Sequence, residues 1–178
     1  MKLGKTKALR RLIARNFPAD GIITRVVRFV TFRQTFSRAI AEAFPDFVLY
    51  SDVKGDLDAA RHPRLIVPVE SLHRLRMPAA AEPVDLLVLD EAESIFAQFS
   101  SGLHRHFGPT FAMFQWMMRT SRHVIAMDAN LSDRAYRVLE RMRPAHPPHF
   151  HWNRYERAAD DVYHVTADQA AWLGRLYS

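Results

Sequence analysis

Two short segments carry most of the chemistry this sequence offers. In the first, the apolar run Leu86–Leu89 is followed at once by Asp90, Glu91, Ala92 and Glu93. Carboxylates at the end of a buried strand suit a divalent cation and an activated water. An ordinary helix start, with acidic side chains at the positive end of the dipole, has the same look. The second segment is Gly4-Lys5-Thr6, which opens a stretch of helical period. This is the tail of a phosphate-binding loop. Backbone N–H groups at the helix start and the Lys5 ammonium suit phosphate oxygens, and the Thr6 hydroxyl suits Mg²⁺. Asp90 would hold the same ion through its waters, and Glu91 would orient the attacking water. The implied cofactors are ATP and Mg²⁺.

The loop pattern is partial. The form G-x-x-x-x-G-K-[ST] requires a glycine ahead of Met1, and the shorter G-x-G-K-T form requires one where Lys2 stands. The expectation is a partly formed amide cradle, weak nucleotide affinity, and a sheet whose first strand is missing. An unpaired edge is then expected at Val27, Phe29 or Leu86–Leu89, with self-association of the chain.

Three further groups stand beside strand ends. Asp128-Ala129-Asn130 closes an apolar run and is placed to contact the acidic site; a turn capped by Ser132 is the plainer alternative. Arg33 and Thr35, in FRQTF, and Ser71, in ESLHRL, stand where a strand gives way to a helix, a setting that suits sugar-phosphate contacts. Ordinary capping by Thr35 and Ser71 is the competing reading. The histidines at 104, 106, 146, 149 and 151 have no carboxylate at ligand spacing, and no Gly-x-Ser-x-Gly is present.

The elements that must position these residues alternate. Arg25–Phe32, Phe47–Tyr50, Leu65–Val69, Val84–Leu89 and His123–Met127 are nearly continuous apolar runs, the pattern of strands buried on both faces of a parallel sheet. Pro68 predicts a strand end or an edge. Helical period marks Thr6–Asn16, Thr35–Phe44, Phe107–Met118, Asp133–Met142 and Ala167–Leu176. The third is apolar nearly all round, which predicts burial. Ser132 is the expected N-cap of the fourth, with Asp133 and Arg137 as an i,i+4 pair. Residues 77–83 read as a surface loop and 144–150 as a stiff connector. The fold class is α/β: a three-layer domain with a mainly parallel sheet.

The chain has 178 residues, 48% of them apolar, which suits one domain with a substantial core. It has no cysteine, so neither disulfides nor a thiolate metal site are available. No run of roughly 18 apolar residues appears, so no membrane span is expected, and the basic N-terminus lacks a signal-peptide core. An intracellular protein is expected. Net charge is +6, but residues 1–40 hold +9, residues 41–100 hold −6 and the remainder +3. A basic front favours a polyanion partner such as nucleotide or nucleic acid. Arginine-rich coding is the plainer source of such charge, since 21 of the 25 cations are Arg.

Taken in order, GKTKAL (4–9), VTFRQTFSRAI (30–40), VPVESLHRL (67–75), LLVLDEAESI (86–95) and VIAMDANLSDRAY (124–136) resemble the first motor domain of superfamily 2 DEAD-like helicases. The closest similarity is to the replication origin-binding protein helicases of herpesviruses and related elements, over residues 4–140. The resemblance implies a P-loop (RecA-like) NTPase domain over 1–143, with 144–178 leading toward a second motor domain absent from the chain. Gly4, Lys5 and Thr6 match motif I, Arg33 and Thr35 motif Ia, and Asp90 to Glu93 motif II. Ser71 lies in the segment that touches the nucleic-acid strand. Asp128 and Asn130 stand at motif III, coupling the cleft to DNA together with Glu93. The implied function is ATP-driven movement on single-stranded or origin DNA at replication initiation. An isolated lobe is expected to have little activity alone, because the second domain supplies arginine fingers worth about 10³–10⁵ in rate. The localisation implied is cytoplasmic for a prokaryotic source and the host nucleus for a viral one. The alternative is a non-catalytic module that binds nucleic acid through its basic first helix.

Overall fold

A computed structural model describes residues 4–20, 25–55, 57–58, 60–76, 83–100 and 106–151. Residues 4–149 form one compact unit; residues 1–3 and 150–178 form another, of which only 150 and 151 are described. The expected helix Ala167–Leu176 lies outside the described residues.

The first unit is an α/β domain. Its helices are α1 (Lys5–Asn16), α2 (Gln34–Ala43), α3 (Ala92–Gln98), α4 (Phe107–Thr120) and α5 (Asp133–Met142). Its strands are β1 (Val27–Thr31), β2 (Val48–Leu49), β3 (Leu57–Asp58), β4 (Arg64–Pro68), β5 (Leu75–Arg76), β6 (Leu86–Asp90) and β7 (His123–Met127). Five strands form one sheet in the order β2-β4-β1-β6-β7, every pairing parallel. The pairs β3 and β5 make a separate parallel ribbon. Val69–Arg74, expected to open a helix, is a 3-10 turn.

Side-chain alternation along the central strands builds two cores. Val27, Phe29, Ile66, Leu86 and Val88 pack with Leu9 and Ile13 of α1, Ile40 of α2 and Phe44 just past it. Val30, Leu65, Val67, Leu87 and Leu89 face α3, α4 and α5 through Ile95, Phe114, Met117 and Ala135. Each fully buried side chain of this kind is worth roughly 1.5–3 kcal/mol. Helices therefore cover both faces, which explains why β1, β4 and β6 read as unbroken apolar runs.

Two expectations need correction, on the sheet edge and on α4. The strands holding Val27, Phe29 and Leu86–Leu89 are not edges: β1 lies between β4 and β6, and β6 between β1 and β7. Among the described residues the edges are β2 and β7, and residues 124–127 of β7 stay partly exposed. Pro68 is at a strand end as expected: it closes β4, an internal strand, where its missing N–H costs the ladder least. Helix α4 is buried on one face only, and Phe107 is 42% exposed. Its outward aromatics pack on one another, with Phe107 stacked on Phe111 at 5.6 Å and Phe99 against Phe111 at 5.2 Å.

Polar stitches fix the opposite end of the sheet. The Asp85 carboxylate accepts from the Val26 N–H at 2.9 Å and pairs with Arg25 and Arg122, each at 3.4 Å. Buried Arg143, just past α5, donates to the carbonyls of Met118, Ser121 and Arg122. It thereby satisfies the last turn of α4 and ties that helix to the start of the 144–150 segment. No described helix is long and apolar enough to cross a membrane.

Candidate functional site

The carboxyl ends of β6 and β7 and the start of α1 converge. Gly4 is the N-cap of α1 at φ +74°, a left-handed conformation open to glycine, and an added Cβ there would meet nothing within 4 Å. Neither a side-chain cap nor an acidic residue occupies the first turn. Among the described residues the amides there are thus left for an outside acceptor. The Lys5 ammonium reaches the Glu91 carboxylate at 3.9 Å, and Thr6 is exposed one residue on.

Asp90 ends β6, and its carboxyl lies above the usual aspartate range. Burial raises it first, the Glu91 charge next; Lys5 lowers it and Asp128 raises it again. Such crowding of negative charge is relieved by a cation. Among the described residues no three His, Asp or Glu side chains form a ready metal cage. An ion at Asp90 would then draw most of its ligands from phosphate, water and hydroxyl oxygens, which is how Mg²⁺ is commonly held.

Glu91 sits at φ +60°, ψ +56°, the one non-glycine at positive φ among the described residues. A left-handed non-glycine residue costs about 1–2 kcal/mol. The twist leads the chain out of β6 and into α3, with Glu91 toward Lys5 and Glu93 bonded to Ser132 and Arg134. Strain of this kind gathers at functional positions.

Glu93 is the hub between the two strand ends. Its carboxylate accepts from the Ser132 N–H at 2.7 Å, from the Ser132 hydroxyl at 2.5 Å and from Arg134 at 2.7 Å. Burial alone would raise this carboxyl, but the Ser132 and Arg134 bonds outweigh it and hold the group below the usual range. In return, Asp128 accepts from the Glu93 N–H at 3.0 Å and, through its other oxygen, from the Asn130 N–H at 3.0 Å. Asp128 therefore caps α3 from a neighbouring strand, and Asn130 takes part through its backbone.

Sequence reasoning assigned Ser132 as the side-chain cap of α5. It occupies the N-cap position, but its hydroxyl caps nothing and turns to Glu93 instead. A charged acceptor is the stronger partner. Arg134 was not singled out, and its position two residues past Ser132 was the available signal. Asp133 and Arg137 form no ion pair with each other.

Arg33, Thr35 and Ser71 lie at the ends of β1 and β4, apart from this cluster. Arg33, not Thr35, is the N-cap of α2, and no side chain caps that helix. Among the described residues the first-turn amides have no partner, they stand beside two exposed side chains, and the Arg33 guanidinium lies 4.7 Å over the Phe32 ring. Ser71 is buried at 8% exposure, so it offers an outside partner little surface. Gln98 of α3 links the two regions by donating to the Phe32 carbonyl at 3.4 Å.

Comparison with known proteins bears on this arrangement. The family model for the origin of replication binding protein matches residues 1–159. The "Putative helicase/primase complex protein" of African swine fever virus (isolate Pig/Kenya/KEN-50/1950) is 51% identical over 177 residues, 99% of this chain. The "Replication origin-binding protein" of human herpesvirus 2 (strain HG52) is 38% identical over 133 residues, 72% of the chain and 15% of that protein. That of bovine herpesvirus 1.1 (strain Cooper) is 32% identical over 155 residues, 84% of the chain and 18% of that protein. The chain spans 16% of the length of the African swine fever virus protein. With an α/β sheet that gathers its acidic and basic motif residues at one end, and a family match over most of its length, this chain belongs to the origin of replication binding protein family.

Proposed function

We propose that this chain is the nucleotide-binding lobe of an ATP-driven DNA motor of the superfamily 2 helicase type, a RecA-like P-loop domain that serves replication initiation. The approach of Lys5 to Glu91 at 3.9 Å carries the reading. It joins an uncapped helix start to the acidic end of β6, two segments far apart in sequence.

The residues fit a nucleotide with its ion. Gly4, Lys5 and Thr6 would hold the phosphates, and Thr6 and Asp90 the Mg²⁺. When bound, the ion supplies charge neutralisation at the phosphates. Glu91, pushed out of the strand by its left-handed backbone, holds the water that attacks. With phosphates bound, Lys5 would turn from Glu91 to their oxygens and leave that carboxylate for the water. The Glu93–Ser132–Arg134 bonds and the Asp128 cap make a continuous polar connection from the nucleotide side to β7 and α5. In this reading Glu93, Asp128 and Asn130 are coupling residues.

Arg33 and Thr35, beside the free amides of α2, contact the sugar-phosphate backbone of single-stranded or origin DNA, and buried Ser71 shapes the neighbouring turn. Residues 1–143 act as the motor lobe and 144–178 lead toward a second motor domain, in the same protein or in trans. The relatives' viral source supports an intracellular site of action, the host nucleus or cytoplasm.

Titration with ATP and Mg²⁺ tests the reading. Saturable binding at millimolar or lower concentration is expected, lost in Lys5→Ala and weakened when Mg²⁺ is withheld. Undetectable binding at millimolar ATP, with Lys5→Ala indistinguishable from the parent, would sink it.

A further inference from the structure

Helix α1 has two unlike faces. Leu9 and Ile13, at 5% and 2% exposure, lock it to the sheet. Lys7, Arg10, Arg11 and Arg15 are exposed on the opposite side, related by steps of three and four residues, so they form one stripe. The helix contains no acidic residue, and none of the four has an acidic partner among the described residues. Like charges at these spacings oppose helix formation.

Arginine abundance alone does not explain the stripe. Helix α5 carries Arg134, Arg137 and Arg141, but intersperses Asp133 and Glu140, and Arg134 is spent on Glu93. Cations are compensated there and left uncompensated on α1. A membrane surface is disfavoured as the partner, because Leu9 and Ile13 of α1 are already buried in the domain and Leu12, at 38%, is its one exposed large apolar side chain. The stripe also has no aromatic ring on which unpaired bases would stack, which favours a charged backbone over a single strand. Lys7 to Arg15 spans about 12 Å along a straight rod, and duplex DNA presents a charge about every 1.7 Å of axis.

We propose that the outer face of α1 is a second DNA contact, in which Lys7, Arg10, Arg11 and Arg15 grip the phosphates of a duplex. It is separate from the Arg33 and Thr35 region at the carboxyl end of the sheet. The choice of DNA as the polyanion rests on the function proposed above, but the contact itself does not require Lys5, Asp90 or Glu91 to bind nucleotide.

The test is the salt dependence of binding of the full 178-residue chain to a short DNA duplex. Each phosphate neutralised contributes about 0.9 to the slope of log K against log salt. Replacing Lys7, Arg10, Arg11 and Arg15 together by Gln should reduce the slope by about 3.6. Replacing Arg61, Arg119, Arg137 and Arg141 by Gln removes the same charge elsewhere and should leave most of the slope. Equal reductions in both variants, or none in the α1 variant, overturn the proposal. Loss of binding to polyglutamate with an unchanged duplex slope also overturns it, and makes the face a dock for an acidic protein. ATP-Mg²⁺ titration of the same variants keeps the two ideas apart. A reduced slope in a chain that never binds nucleotide supports the α1 contact and removes the motor reading.

Discussion

The carboxylate of Glu93 accepts both the backbone N–H and the hydroxyl of Ser132, 39 residues further along the chain. Two strand ends are thereby held in register by one side chain, and Arg134 closes the other carboxylate oxygen. Hydrogen bonds to a charged group are worth about 1.5–3 kcal/mol, less where the partner is exposed as Arg134 is. Glu93→Gln should cost about 1–2 kcal/mol in urea unfolding at neutral pH. The folded-state carboxyl lies below its ordinary value of 4.5. Its contribution is therefore present above that value and lost as pH falls through the lowered one. The difference between parent and Glu93→Gln should shrink in acid across that window. A difference that stays constant with pH would remove the carboxylate from this role.

Asp90 responds with the opposite sign. Its folded-state carboxyl is raised above the ordinary 3.8, so deprotonation in the fold carries a penalty. That penalty is absent below the ordinary value, grows as pH rises through the raised one, and is complete above it. Asp90→Asn should be more stable than the parent at neutral pH without divalent ions. Added Mg²⁺ should raise the melting temperature of the parent and leave that of Asp90→Asn unchanged. Equal responses in a thermal melt would place the cation elsewhere.

Glu91 is held in a left-handed conformation that its side chain resists. Glycine accepts it freely, at the cost of a more flexible unfolded chain. Glu91→Gly should therefore stabilise the domain by about 1 kcal/mol while abolishing any hydrolysis. Glu91→Ala retains the strain and should gain nothing. Denaturant midpoints of the two variants, compared directly, decide the matter. A Gly variant no more stable than the Ala variant would show that the backbone twist is not strained.

Much of the fold was legible because the strongest signals were local. The apolar run His123–Met127 and the periodic stretch Asp133–Met142 match β7 and α5 residue for residue. Helix α3 was not legible: seven residues make about two turns, too few for period to show. Nor were β3 and β5, at two residues each. Within the site, residue types pointed to Lys5, Asp90 and Glu91, since phosphate and cation chemistry restrict the choice. The partners were hidden because they depend on distance in space. Ser132 obeys a local capping rule in sequence, and a carboxylate from α3 overrides it. Arg143 carries no local sign of the three carbonyls it satisfies.

The position of the sheet edge has its own consequence. Among the described residues β7 offers one side to β6 and has no neighbour on the other, and its apolar residues 124–127 are partly exposed. The central strands, by contrast, are buried along their whole length. A flat apolar edge is a template for another strand, and charged side chains are the usual protection. Among the described residues charged or titratable protection along the strand is limited to Arg122 and His123 at its start. The chain should therefore self-associate at tens of micromolar, through β7 and not through β1 or β6. Ile125→Lys adds a charge mid-edge whose long stem can reach solvent. Light scattering should report smaller particles for this variant, with an unchanged far-UV circular dichroism spectrum. A sharp monomeric profile for the parent, or association that Ile125→Lys leaves untouched, would mean that the β7 edge is already covered.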